Sequence, residues 1–181
     1  HGEHHIRLSR PLEPEGKIIQ VGEVMNIYDK GKGAVYQIRI KGWTENNEDL
    51  FEIEWSIFYL GAGGFGGDPG PRAEKIIPPE GIKPDFSISE KVADNQAVIY
   101  RLSGDLNPLH LDPNAAQRGG FDRPILHGLC TYGFAVRAII KKLLNGNVAR
   151  LKEFNARFSD TVYPGDTLTP QGWKSDDAYI I

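Results

Sequence analysis

A single cysteine, Cys130, leaves this chain without any disulfide framework, and a reducing compartment is the default reading. Its place inside an apolar run makes it a small core residue rather than a nucleophile. No hydrophobic run approaches the length that crosses a membrane and no signal peptide is visible, so no membrane partner is expected. Basic residues are not in surplus: the net charge of −3 argues against nucleic acid. What remains, 181 residues with 40% hydrophobic content, supplies core for one large domain or two small ones. The opening His1-Gly2-Glu3-His4-His5 has no initiator methionine before it and reads as a tag remnant or a metal cluster, but its spacing fits no zinc pattern.

Three segments, Lys17 to Tyr28, Ala34 to Thr44 and Leu50 to Leu60, are rich in β-branched and aromatic residues with partial alternation. Their connections, Asp29 to Gly33 and Glu45 to Asp49, are turn-formers, which predicts an antiparallel meander. The Gly61-Ala62-Gly63-Gly64-Phe65-Gly66-Gly67 stretch satisfies G-x-G-x-x-G literally. Asp68-Pro69-Gly70-Pro71 follows in place of a helix, so no helix end is available to a dinucleotide pyrophosphate. A mobile glycine loop is the favoured reading and a ligand rim around Phe65 the alternative. Residues 1–67 therefore read as one unit, 68–85 as a linker and 86–181 as a second unit.

Chemistry concentrates in Tyr100-Arg101-Leu102-Ser103-Gly104-Asp105-Leu106-Asn107-Pro108-Leu109-His110-Leu111-Asp112. A short helix capped by Asp94 is expected over Gln96 to Leu102, stopped by a left-handed Gly104. Pro108 forces Asn107 out of the helical region, so Asp105, Asn107 and His110 project from a stiff extended segment. A second helix is expected from Asp112-Pro113 to Gly119-Gly120. From Pro124 a run through His127-Gly128-Leu129 is apolar on nearly every face and predicts an enclosed helix, with Lys141 and Lys142 in its last turn and Gly146 at its exit. Gly128, at the amino end, offers a bare N–H where the helix dipole is positive, which is how an oxyanion site is built. A metal held by Asp105, Asn107 and His110 lacks a convincing fourth ligand unless Asp112 turns inward.

The halves repeat. Ile6 to Gly16 aligns with Ala156 to Gly165 with one inserted residue, so two copies of one unit are expected. Because the second copy has a long helix before this segment and the first has none, the chain reads as an internal fragment. It would lack a helix and early strands in front and about two strands behind.

The signature from Tyr100 to Asp112, with Phe121-Asp122-Arg123-Pro124-Ile125-Leu126-His127-Gly128-Leu129-Cys130-Thr131, resembles that of the MaoC-like, or hydratase 2, family. The whole chain is similar to the hydratase module of peroxisomal multifunctional enzymes of type 2. The resemblance implies an α+β double hot-dog fold, antiparallel sheets each wrapped around a long helix, with the second copy catalytic. It implies a lyase, an (R)-specific 2-enoyl-CoA hydratase of fatty-acid metabolism and β-oxidation, that adds water reversibly to trans-2-enoyl-CoA. Asp105 and His110 would hold the water and handle protons, Asn107 would orient them, and the Gly128 N–H would bind the thioester oxygen. His1, Gly2, Lys30, Leu106, Pro108, Leu109 and Phe158 would line the CoA and acyl path. No cofactor beyond the CoA of the acyl-CoA substrate and no metal are implied. A homodimer fits the fold by analogy. The compartment would be the peroxisome in a eukaryote and the cytoplasm in a bacterium. A noncatalytic acyl-CoA-binding module and a hot-dog thioesterase are the competing readings.

Overall fold

The computed structural model describes residues 2–72 and 76–181, so His1, expected on the acyl path, lies outside the described residues. Two units emerge, one of residues 1–74 with 144–159 and one of residues 75–143 with 160–181.

The first unit is built on one antiparallel sheet. Its strands are β1 (Glu3–Leu8), β2 (Ile19–Asp29), β3 (Gly33–Trp43) and β4 (Asp49–Leu60), joined by a later segment, Glu153–Arg157. The order is β2-β3-β4-β1 and then Glu153–Arg157, so the expected meander forms and β1 extends it. Alternation sorts the side chains: Ile38, Ile40, Ile53 and Ile6 share one face, whereas Glu23, Arg39, Lys41 and Glu52 share the other. On the polar face opposite charges sit across strands, Arg39 with Glu23 at 2.6 Å and Lys41 with Glu52 at 3.3 Å. Among the described residues this unit contains no α-helix.

The repeat acquires a geometric meaning here. β1 pairs antiparallel with Glu153–Arg157 so that Glu3 faces Arg157, His5 faces Asn155 and Arg7 faces Glu153. The alignment of Ile6 with Ala156 extends back to Glu3 with Glu153 and forward to Arg7 with Arg157. The pair is therefore related to itself by a local twofold, and each Glu meets the Arg of the other copy. Arg157 Nε donates to Glu3 at 2.8 Å, and Arg7 reaches Glu153 at 3.3 Å.

The second unit holds three helices, α1 (Gln96–Arg101), α2 (Pro113–Arg118) and α3 (Gly128–Lys142). Short ladders join Phe86–Ser87 to Gln171–Ser175, Gln171–Ser175 to Ala178–Ile180, and Glu90–Lys91 to Thr167–Leu168. Its core gathers Val92, Ala97, Leu126, Cys130 and Phe134. The expectation for α1 needs correction: Asn95, not Asp94, is the cap residue, and its side chain makes no capping bond. On α3 only the stripe Cys130, Phe134, Ala138 and Ile139 is fully buried, while Gly133 and Arg137 are exposed. Its helical turns end at Lys142, short of Gly146, which takes a left-handed φ of 78° beyond them. Lys141 and Arg137 both engage Glu90, tying the outer side of α3 to the edge of the sheet.

The glycine-rich loop of the first unit is anchored rather than loose. Asp29, buried at the end of β2, accepts hydrogen bonds from the N–H groups of Gly31, Gly64 and Gly66, each at 2.8 Å. Gly64 and Gly66 have φ of 79° and 75°, and a Cβ at Gly63 would strike the Gly31 and Gly33 backbone. The Gly64 and Gly31 N–H groups hold the Asp29 carboxyl below its usual range, and burial opposes them. Unfolded, the group titrates near about 3.9, so the stability it adds is present above that value and is lost as pH falls through the lower folded value. Asp29→Ala should lower the thermal midpoint by roughly 5 °C and speed amide exchange over residues 61–67. Asp29→Asn should flatten the acid limb of a stability curve below about pH 4, and an unchanged limb would show that the loop does not depend on this charge.

Candidate functional site

Gly104, with φ of 109°, reverses the chain after α1 and releases the segment that follows. Asn107 then has φ −56° and ψ 121°, the extended geometry Pro108 imposes, and Pro108–His110 closes into a single 3₁₀ turn. His110 thus sits on a turn rather than on an extended stretch. Two side chains fix the turn locally: Asp105 Oδ1 accepts from Asn107 N at 3.1 Å, and Asn107 Oδ1 accepts from Leu109 N at 3.1 Å. Asp112 caps α2 as expected, accepting from Asn114 N at 2.9 Å.

A second connection holds the turn from outside. His110 is buried, and its Nδ1 lies 2.9 Å from the Ile125 carbonyl. A carbonyl only accepts, so Nδ1 carries the proton, and in the neutral ring Nε2 presents its lone pair. Leu126 N donates to the Val162 carbonyl at 2.7 Å, which fixes the approach to α3. His127, the cap residue of α3, then lies against His110, with ring centroids 3.8 Å apart and planes inclined by 28°. The Tyr100 ring also packs on His127, tilted by 47° with centroids 4.8 Å apart.

His127 is 1% exposed. Burial, and after it the neighbouring His110, push its pKa down, which keeps the ring neutral. Its Nε2 lies 3.4 Å from the Asp105 carbonyl oxygen, and its Nδ1 has no hydrogen-bond partner. One polar atom each from Asp105, His110 and His127 lies within 4.8 Å of the other two. That spacing lets the three groups converge on one small ligand.

The second unit brings together Asp105, Asn107, His110 and Gly128, and places Leu106, Pro108 and Leu109 on the same turn. Leu106 and Pro108 are exposed and Leu109 is half-buried. Gly128 is the first residue of α3, where a helix leaves its N–H groups without an intrahelical acceptor. Gly2, Lys30 and Phe158 belong to the first unit. The Lys30 ammonium contacts the carbonyl of Pro69 and donates to that of Pro71 at 3.3 Å, both in the glycine-rich connection. Phe158 N donates to the Gly2 carbonyl at 3.0 Å. Sequence reasoning gives no chemistry to His127 or Tyr100. The available signal for His127 was its adjacency to the helix-entry glycine. Cys130 is buried and its thiol pKa is pushed up by that burial, as expected of an inert core residue. No helix among the described residues is long and apolar enough to cross a membrane.

A family model described as "MaoC like domain" matches residues 76–180, and one described as "MFE-2 hydratase 2 N-terminal domain" matches residues 1–61. Enoyl-CoA hydratase 2, peroxisomal, of Arabidopsis thaliana is 38% identical over 182 residues, covering 96% of this chain and 59% of that protein. The chain thus spans about three fifths of that relative's length. The structure of full-length peroxisomal multifunctional enzyme type 2 from Drosophila melanogaster superposes with a TM-score of 0.87 at 36% identity, over 99% of this chain and 33% of that one. A Mycobacterium tuberculosis protein described as a double hot dog matches in fold, with a TM-score of 0.65 at 15% identity over 98% of this chain and 65% of its own. The family model that covers the Asp105–His110 turn and α3 matches more than half of the residues, and the chain belongs to the MaoC-like family with its double hot-dog fold.

Proposed function

We propose that the chain performs (R)-specific hydration and dehydration of enoyl-CoA thioesters. The observation that carries the reading is the pairing of Asp105 with a buried His110 whose Nδ1–H is committed to the Ile125 carbonyl, leaving Nε2 as a proton acceptor. A water held between them is positioned by two acceptors and is poised to lose a proton. Its oxygen bonds to C3 of the trans-2-enoyl thioester while the double-bond electrons move toward the thioester oxygen. The site takes one proton from the water and returns one to C2, so a single water is added overall. The Gly128 N–H at the positive end of α3 stabilises the transient enolate-like oxygen.

Apolar surface beside the turn supports an acyl chain as the rest of the substrate. Leu106 is 62% exposed and Leu102 86% exposed, flanking Asp105. Gly2, Lys30 and Phe158 are assigned to the CoA and acyl path from the family resemblance. The Arabidopsis relative is named as an enoyl-CoA hydratase 2 and the Drosophila protein as a peroxisomal multifunctional enzyme, which supports this chemistry and, for a eukaryotic source, the peroxisome. A homodimer is proposed by analogy with the fold alone.

The test is loss of the conjugated enoyl absorbance on incubation with a short and a medium trans-2-enoyl-CoA, with the product's configuration determined. A (3R) product is expected. Release of free CoA would instead mark a thioesterase, and binding without turnover a noncatalytic module. Asp105→Asn should cut kcat by about 10²–10⁴-fold with ligand binding retained; unchanged turnover would remove Asp105 from the mechanism. Gly128→Pro is a cleaner probe of the donor. Proline is tolerated at the first helical position, and His127 already has the φ of −58° and ψ of 133° that a residue before proline needs. Helix content should stay and kcat should fall about 10²–10³-fold; a smaller loss of less than about threefold would place the oxyanion donor elsewhere.

A further inference from the structure

We infer that His127 is a positioning residue of the reaction, holding both the Asp105 main chain and the His110 ring in place, and this rests on the hydratase reading. His127 touches each member of the pair in a different way. Its Nε2 faces the Asp105 carbonyl at 3.4 Å, and its ring face covers the His110 ring at 3.8 Å. Asp105 follows the left-handed Gly104 and is half-buried on a turn with no sheet or helix ladder. Its carbonyl has no secondary-structure partner, so a side-chain donor from the α3 entry is what fixes the direction of the peptide. The next carbonyl is fixed likewise, Leu106 O accepting from the Arg101 guanidinium at 3.0 Å. Two consecutive carbonyls are thus held by side chains from two different elements.

A packing role alone does not explain the residue. Among the described residues His127 is one of the largest fully buried side chains, and yet Nδ1 lacks a partner. Burying an unsatisfied polar atom is unfavourable, and a phenylalanine or leucine at the same place would avoid it. The tautomer is set as well: a donor at Nε2 leaves Nδ1 an acceptor, so the neutral ring adds no positive charge beside His110. The ring's neutrality is also favoured by its burial and by His110 itself. Burial leads that balance, His110 on the turn and Arg101 on α1 act in the same direction, and Asp105 opposes them.

The experiment compares the full chain with His127→Phe, which keeps ring and burial and removes both nitrogens, and His127→Asn, which keeps an N–H donor without the ring. Two readouts are taken on each variant: kcat and KM for a trans-2-enoyl-CoA, and amide exchange along the chain. In His127→Phe, exchange over residues 105–110 should rise tenfold or more while residues 134–139 of α3 keep their protection. There kcat should fall at least tenfold with KM within about twofold, since a misplacement near 1 Å suffices for losses of up to about a hundredfold. His127→Asn should recover part of the protection at residues 105–110. Unchanged exchange at 105–110 in both variants overturns the inference whatever the activity does. Loosened exchange with unaltered kcat overturns it too, because the held geometry would then be irrelevant to turnover. If the unsubstituted chain turns over no enoyl-CoA, the hydratase reading fails, and the exchange data still decide whether His127 holds the turn.

Discussion

The bond from His110 Nδ1 to the Ile125 carbonyl is the constraint on which the site depends. It spans a turn and a helix entry fifteen residues apart, two stretches with no ladder between them. Without it, the turn would keep its short-range caps and the side-chain donors on the Asp105 and Leu106 carbonyls, but nothing would bond the His110 ring to the entry of α3. With it, the tautomer, the ring plane and the place of the turn relative to α3 are set together. A buried carbonyl with a bound donor is also a satisfied carbonyl, so the same contact meets a folding requirement and a chemical one.

Burial explains why this group of polar residues can exist in the core of the second unit. His110 and His127 are stacked so closely that two positive charges there would repel strongly in a medium poorer than water. His110 thus adds to burial in pushing the His127 pKa down and keeping that ring neutral. Tyr100 belongs to the same enclosure: burial, then Cys130 and Asp105, push its hydroxyl pKa up, so it stays neutral.

Much of this was legible in the residues. The break after α1 follows from Gly104, the extended Asn107 from Pro108, and the α2 cap from Asp112-Pro113, because each is a local rule about one backbone angle or one side-chain acceptor. The meander followed from alternation in the same way. What was not legible depends on neighbours distant in sequence. Asp94 and Asn95 are equally good caps by composition, and the chain enters α1 at the second. The glycine-rich loop reads as mobile from composition, whereas the Asp29 carboxylate that fixes it lies thirty-five residues away from Gly64. His127 was visible only as a letter before a glycine; its role rests on a stack and a carbonyl that no spacing rule contains. The enclosure of α3 was overestimated for a related reason, since apolar residues on all faces predict burial all round, while one stripe alone is sealed within this unit.

The twofold pair of strands shows which information a repeat must keep. Between Glu3–Leu8 and Glu153 to Phe158 only the glutamate and the arginine are shared, at the two polar positions that face each other across the axis. The alternate positions differ freely, Ile6 against Ala156 and His4 against Phe154, because a strand needs inward side chains of workable size rather than particular ones. A local twofold turns a single Glu–Arg spacing into two ion pairs, so register is specified twice by one pattern. Exposed pairs of this kind add little stability, but a one-residue slip would break both of them and turn every side chain to the wrong face. The turn from Gly104 to His110 is specified residue by residue: its glycine takes a positive φ, its proline sets the extended Asn107, and its histidine is bonded to the Ile125 carbonyl. A duplicated scaffold can therefore drift widely in sequence while such a turn stays recognisable.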